Sequence, residues 1–558
     1  MPTHKDLHLC PCLSLKTNWG PAIAFSAALL LQVTCGHCLV AAEETGTPKP
    51  RLDPAGIDGS LVISGGGNIP KAAIERFMEL AGGKAANLVI IPTARSDADQ
   101  ARQDEAISEW KHRGPASVVV LHTRSRTTAD QSSFVAPLLK ATGIWFEGGS
   151  QDRIADAYVG TAVERELYAL LKRGGVIGGT SAGAAIMSRL MIAGGNPDAK
   201  TMQGLDLLPG AIIDQHFLKR NRKPRLNGVL AKHPELLGVG IDEGTALVVR
   251  GRELKVFGES VVTICLAGSK DRSPREIELK SGVTSDWTMF RRAAIARTEP
   301  MFPPKVVSVP EVAGPGSLVI VGGGGMPEDI VKKFIALAGG PDALIVVLPT
   351  ASPDPVPKVG EANIFTRAGA RNVKVLPARK LKDVEEPNNL KVLEKARGIW
   401  FGGGRQWRFI DAYEGTRAEK LFRDVLSRGG VIGGGSAGAT IQGEYLCRGS
   451  PLGPEEIICE GYERGLCFLP GVAIDQHFTQ RKRFPDMTRL MKTYPEFLGI
   501  GLDEGTALVV TGHKAVIMGL GKVHFYDRRK PVEPGKPDYE SVPPGSEYDL
   551  KERRAVGK

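Results

Sequence analysis

Four sequence blocks recur, in the same order, in the two halves of this 558-residue chain. Gly59-Ser-Leu-Val-Ile-Ser-Gly-Gly-Gly-Asn-Ile-Pro70 returns as Gly316-Ser-Leu-Val-Ile-Val-Gly-Gly-Gly-Gly-Met-Pro327, and Gly143-Ile-Trp-Phe-Glu-Gly-Gly149 as Gly398-Ile-Trp-Phe-Gly-Gly-Gly404. Gly175-Val-Ile-Gly-Gly-Thr-Ser-Ala-Gly-Ala184 is matched by Gly430-Val-Ile-Gly-Gly-Gly-Ser-Ala-Gly-Ala439, and Asp214-Gln-His-Phe217 by Asp475-Gln-His-Phe478. A unit this long is a whole domain, unlike the short repeat of a solenoid. Two domains also fit the length, since one hydrophobic core seldom serves so many residues. The expected division is a linker over residues 43–57, repeat one over 58–297, repeat two over 316–528 and a polar tail over 529–558. Between the repeats, residues 298–315 carry Pro300, Pro303, Pro304, Pro310 and Pro315 and predict an extended, stiff connector.

Within each repeat, short apolar runs rich in β-branched residues, such as Leu88-Val-Ile-Ile-Pro92 and Ala343-Leu-Ile-Val-Val-Leu348, alternate with helical patterns. Ile74, Phe77, Met78 and Ala81 fall on one helix face, as do Ile330, Phe334 and Leu337. Continuously apolar strands set between helices belong to a parallel sheet covered on both faces. The expected fold class is therefore α/β, two tandem three-layer α/β/α domains with mainly parallel sheets. Ligands then sit at the carboxyl ends of the strands.

At one such end Ser181 occupies the apex of Gly179-Thr-Ser-Ala-Gly183, between an expected strand and an expected helix from Ala184 to Leu190. Ser436 in Gly434-Gly-Ser-Ala-Gly438 has the same setting. A serine in a strained turn needs neighbours without side chains so that strand and helix can close on each other, and the helix N-terminus favours developing negative charge. A glycine turn that merely binds phosphate is the bland alternative. It is weakened by partners that recur in step. His216 and His477 end the apolar runs Ala211-Ile-Ile and Val472-Ala-Ile, and Glu243 and Glu504 follow 27 residues later in both repeats. Such a set supplies a nucleophile, its base and the acid that orients the base. The order Ser, His, acid differs from that of α/β-hydrolases, where the acid precedes the histidine.

These residues resemble the peptidase group that holds the cyanophycinases and peptidase E, related in fold to the class I glutamine amidotransferases. The resemblance covers nearly all of each repeat. It is most specific in Asp214-Gln-His-Phe-Leu-Lys-Arg220-Asn-Arg222-Lys-Pro-Arg225 and in Phe146-Glu-Gly-Gly-Ser-Gln151-Asp-Arg153. It implies catalytic sets Ser181, His216, Glu243 and Ser436, His477, Glu504. Oxyanion donors would be the N–H of Ala182 with Gly148 or Gly149, and of Ala437 with Gly403 or Gly404. Gln151, Asp214, Gln215, Arg220, Arg222 and Arg225 would line the substrate groove, matched by Gln406, Asp475, Gln476, Arg481 and Arg483. The implied substrate is cyanophycin, an arginine-decorated poly-aspartate, cleaved through an acyl-enzyme to β-aspartyl-arginine dipeptides. Arginine forks suit its carboxylates, and Asp214 or Glu147 offers an acceptor for its guanidinium groups. Single-domain members of the group are expected to pair, which implies an internal pseudo-dimer of the two repeats.

Repeat two departs from the pattern. Asp486 stands in place of Arg225, Arg405 precedes Gln406, and Ser436 to His477 spans 41 residues against 35 in repeat one, so repeat one is expected to be the more active. The alternatives are an aspartyl or isoaspartyl dipeptidase of the same group, or a binding module without catalysis. An amidotransferase is disfavoured because serine replaces the cysteine that such enzymes use.

The formal charge of +10 is spread among 62 acidic residues without a long basic run, so a polyanionic substrate fits and a nucleic-acid partner is not expected. Lys5 and Lys16 precede an uncharged stretch over residues 20–42 that ends in small residues, the pattern of a signal peptide over residues 1–42. That predicts an extracytoplasmic protein, secreted or periplasmic, with no membrane span after cleavage. Cys10, Cys12, Cys35 and Cys38 lie in this segment. An oxidising compartment would permit a Cys459 to Cys467 bridge, with free thiols at Cys447, Cys459 and Cys467 the alternative. His and Cys spacing offers no tetrahedral set, so neither metal nor cofactor is expected.

Overall fold

Successive side chains of a strand point to opposite faces, so a run that is apolar throughout must be covered twice. The computed structural model describes residues 52–557 apart from 101–102, 305–306 and 360. In it, Leu61 and Ile63 of strand Ser60–Ser64 enter one buried cluster with Val89, Ile144 and Ile177. Val62 between them enters the opposite cluster, against Phe77 of helix Lys71–Leu80 and Trp145. In repeat two Leu318 and Ile320 face one cluster while Val319 and Val321 face another.

Five parallel strands, in the order Ser117–Val120, Asn87–Ile91, Gly143–Phe146, Val176–Thr180 and Ser60–Ser64, form the centre of the first sheet. Thr245–Arg250, Glu253–Gly258 and Thr284–Asp286 extend it antiparallel. A four-stranded sheet of Ala211–Gln215, Leu237–Ile241, Val261–Leu266 and Arg275–Lys280 accompanies it. Repeat two rebuilds the same plan, with Val373–Val375, Ile345–Leu348, Gly398–Phe401, Val431–Gly435 and Ser317–Val321 parallel at its centre. The expected α/β class is the fold observed, but its sheets are mixed rather than mainly parallel: the central strands run parallel and the flanking ones antiparallel.

Three local expectations change. Residues 529–558 are not a tail: Glu540–Val542, Glu547–Asp549 and Arg554–Val556 are strands that complete the two sheets of repeat two. They are short and mostly polar, which hid the buried Tyr548 and Ala555 within them. The connector is not free either, since Phe302 is buried against Tyr445 and Phe497, and the Val312 N–H donates to the Gly512 carbonyl at 2.9 Å. The helix after Ser181 is the single turn Ala182–Ala185, and residues 190–194 form a strand. The turn ends because the N–H groups of Leu205 and Leu208 take the carbonyls of Ile186 and Met187, at 2.8 and 3.1 Å.

Both repeats belong to one compact unit, Leu52–Lys558. Arg252 of repeat one reaches Asp411 of repeat two at 2.9 Å and the Tyr462 hydroxyl at 3.2 Å. Arg272 pairs with Glu463 at 2.9 Å, and Arg292 with Glu414 at 2.6 Å. Glu460, Tyr462 and Glu463 all lie in the segment that lengthens the Ser436 to His477 interval. Cys265, Cys447, Cys459 and Cys467 are unpaired. No helix among the described residues is long and apolar enough to cross a membrane, and the expected signal segment, residues 1–42, lies outside them.

Candidate active site

The turn after strand Val176–Thr180 holds Ser181 at φ 51° and ψ −108°, and that after Val431–Gly435 holds Ser436 at φ 55° and ψ −114°. A non-glycine residue is strained there, and such strain persists only where the surroundings enforce it. Here the enforcement is close packing. A Cβ on Gly183 would lie 2.3 Å from the Phe146 carbonyl oxygen, so only glycine lets the turn press onto the neighbouring strand. Ser181 Oγ lies 2.8 Å from His216 Nε2, and His216 Nδ1 lies 2.6 Å from Glu243 Oε1. In repeat two the corresponding distances are 2.9 and 2.5 Å.

His216 also has a positive φ, 50°, and its N–H donates to the Gly65 carbonyl at 2.7 Å. Gly66 then forms the floor under the imidazole, because a Cβ there would lie 2.2 Å from His216 Cε1. Of the adjacent Asp242 and Glu243, only Glu243 faces the imidazole. Asp242 instead accepts from the Leu218 and Lys219 N–H groups at 3.1 and 2.9 Å, pinning the turn that follows the histidine. Burial holds the His216 imidazole below its ordinary value, opposed by the Glu243 hydrogen bond and reinforced by Arg220 and Arg222. His477 is lowered in the same way by burial, against Glu504 and with Arg481 and Arg483. A neutral imidazole with an acceptor nitrogen toward the serine is the form a general base needs.

The expected oxyanion glycines separate into two roles. A Cβ on Gly148 would lie 3.5 Å from Ser181 Cβ, so this glycine borders the serine, and among the described residues nothing accepts from its N–H. Gly149 has φ 143° and would bring a Cβ to 2.2 Å from the Ala94 carbonyl oxygen, so it shapes the turn. Gly403 and Gly404 divide likewise, with Gly404 at φ 139°. Ala182 and Ala437 open the short helices after the serines.

The expected groove residues are mostly engaged inside the protein. Asp214 is wholly buried and bound by both Arg225 Nε, at 2.7 Å, and Arg225 Nη2. Gln151 donates to the Ile192 carbonyl at 2.8 Å, and Gln215 accepts from Arg222 Nη1 at 2.9 Å. Arg220 is exposed and Arg222 half-buried. Burial and the neighbouring Arg225 pull the Arg222 guanidinium down to about 10, against Asp214, whose carboxylate lies 3.6 Å from it.

Repeat two solves the loss of the third arginine with a residue the motif comparison missed. Arg448 comes from the lengthened segment and contacts Asp475 at 3.0 Å and Asp486 at 2.7 Å. Arg483 completes the pair on Asp475 at 2.7 Å and also contacts the Gln476 side chain at 3.1 Å. Gln406 donates to the Cys447 carbonyl at 2.8 Å, as Gln151 does in repeat one. Arg481 is exposed, and Arg405 donates to the Ser450 carbonyl at 2.6 Å. The signal was present in sequence only as an unexplained Asp486.

The chain is similar to several known proteins. The cyanophycinase of Geminocystis herdmanii is 37% identical over 203 residues, 35% of this chain and 74% of that protein. That of Synechococcus elongatus is 34% identical over 242 residues, 39% of this chain and 73% of that protein. The crystal structure of a peptidase from an acI-B1 Actinobacterium is 26% identical, with a TM-score of 0.33, and covers 42% of this chain and 98% of its own. Residues 60–257 and 318–518 each match peptidase family S51. The chain belongs to peptidase family S51, the match falling once in each repeat, and is a serine peptidase hydrolase.

Proposed function

We propose that the chain is an exopeptidase that hydrolyses cyanophycin to β-aspartyl-arginine dipeptides, with a Ser/His/Glu set in each repeat. The observation that carries this reading is the hydrogen-bonded chain from Ser181 Oγ through His216 to Glu243, at 2.8 and 2.6 Å, built at a strained turn and repeated at Ser436. The Ser181 hydroxyl proton passes to His216 Nε2 as Oγ attacks the carbonyl carbon. The N–H groups of Ala182 and Gly148 receive the oxyanion. Collapse expels the leaving amine with the proton from His216, and water then hydrolyses the acyl-enzyme with the same base.

The exposed Arg220, with the half-buried Arg222 close by in the chain, favours a substrate carboxylate beside the serine. The two repeats then act as an internal pair on one chain, and the N-terminal pattern directs the protein to an extracytoplasmic compartment. Incubating the protein with purified cyanophycin and with a panel of aspartyl and isoaspartyl dipeptides tests the reading. Dipeptide release from the polymer supports it. Turnover of the small peptides alone replaces it with a dipeptidase.

A further inference from the structure

Although the two serine, histidine and glutamate sets nearly superimpose in their distances, the surroundings of the oxyanion glycines do not match. In repeat two the Gly403 N–H donates to Glu361 Oε1 at 2.9 Å, and Trp400 Nε1 anchors the other carboxylate oxygen at 2.5 Å. A Cβ built on Gly403 would lie 3.7 Å both from Glu361 Oε1 and from Ser436 Cβ, so the carboxylate and the nucleophile flank the same glycine. The chain makes room for it. Gly402 stands where repeat one has Glu147, and a Cβ on Gly402 would come within 3.4 Å of Glu361 Oε1.

Among the described residues repeat one lacks the arrangement. Glu147 turns instead to Arg95, at 3.4 Å, and the Gly148 N–H has no acceptor among the described residues. One helical turn before the aromatic that packs on the strand tryptophan stands Glu361 in repeat two, before Phe365, but Ala106 in repeat one, before Trp110.

We propose that Glu361 is an autoinhibitory plug: its carboxylate occupies the oxyanion donor of repeat two and holds Ser436 in a slow state, leaving turnover to Ser181. The proposal rests on the serine-hydrolase reading above. A carboxylate in that place acts twice, by consuming a hydrogen-bond donor that the transition state needs and by setting a negative charge beside the one that develops.

A fluorophosphonate reagent tests it without any assumption about substrate. Each serine it captures forms an Oγ–P bond, fluoride leaves, and the hydroxyl proton passes to the histidine. Its phosphoryl oxygen needs the same oxyanion donors. Labelling rates at Ser436 and Ser181 are read by peptide mass spectrometry on the full chain, Ser181 serving as reference within each molecule. The expected result is slow labelling of Ser436 in the native protein and a rise of roughly 10²-fold in its ratio to Ser181 in Glu361→Ala, the usual effect of one oxyanion donor. Glu361→Gln, which keeps an acceptor but loses the charge, is expected to give a smaller rise. A native Ser436 as reactive as Ser181, or a ratio unmoved by either substitution, overturns the plug. Failure of both serines to label overturns the serine reading itself, and the plug with it. A melting curve for each variant separates release of the site from loss of the fold of repeat two, and a ratio that rises only with unfolding also counts against the proposal.

Discussion

At the scale of single residues, His216 is set by opposing effects whose signs predict a pH profile. Burial, Arg220 and Arg222 disfavour the imidazolium while Glu243 favours it, and the balance lies on the lowering side. The base is therefore neutral at neutral pH, and activity is lost only as acidification passes below the ordinary imidazole value of about 6.5. The acid limb of kcat/KM should fall there. Glu243→Gln removes an influence that raises the pKa, so its limb should move to still lower pH. The rate should drop roughly 10³ to 10⁴-fold as the imidazole loses its orientation. A limb that moves upward would contradict the assignment. Ser181→Ala combined with Ser436→Ala should reduce dipeptide release at least roughly 10³-fold with an unchanged circular dichroism spectrum. Of the single variants, Ser181→Ala should cost more.

At the scale of elements, loops at strand ends place chemistry with little freedom to adjust. Gly66 follows strand Ser60–Ser64 at φ 100° and lies against the His216 ring. Gly66→Ala should displace the imidazole and lower kcat about 10²-fold, the usual cost of a misplacement of about 1 Å. Full activity in that variant would remove the glycine from the site. The arginine clamps make a second prediction. Asp214 and Asp475 are both wholly buried, yet one is neutralised by Arg225 from the helix after the histidine and the other by Arg448 from the preceding segment. Arg448→Ala should destabilise repeat two by about 2 kcal/mol, because it leaves the buried Asp475 with Arg483 as its one arginine partner among the described residues. Adding Asp486→Arg recreates the arrangement of repeat one, where Ala193 and Arg225 occupy these positions, and should recover part of the loss. Denaturant midpoints of the four proteins in this cycle give the coupling.

At the scale of the whole molecule, the pairs that join the repeats run one way among the described residues. Arginines at 252, 272, 275, 292 and 297 of repeat one meet residues 411–463 of repeat two. A two-fold pair would mirror Arg252 on Asp411 with His513 on Asp156, but His513 faces Asp549 at 3.7 Å. The repeats therefore dock through unlike surfaces, which relaxes any symmetry constraint on repeat two. Arg252 also stacks on Trp407, with its guanidinium carbon 4.3 Å from the ring centroid. Arg252→Ala leaves the buried Asp411 short of one partner and should lower stability by about 3 kcal/mol. Solution scattering should show a single compact monomer for the native chain and a looser, two-lobed particle for this variant. A stable dimer of native chains would contradict the internal docking.

The duplication, the α/β class and the two Ser/His/Glu sets were legible in the sequence. Their signals are local: apolar runs of strand length, glycines on both sides of each serine, and a constant interval from histidine to glutamate. Arg448, Glu361 and the one-sided docking were not. Arg448 reaches Asp475 from another segment, Glu361 arrives from before a short helix to meet a glycine loop distant in sequence, and the docking surface joins residues 407–414 to residues 460–463, which lie far along the chain. Each depends on which segments the packed fold brings within hydrogen-bond distance, and no spacing along the chain encodes that. The strands of residues 540–556 were missed for the opposite reason. They are short and their buried residues few, so only the sheet edges that receive them make them strands.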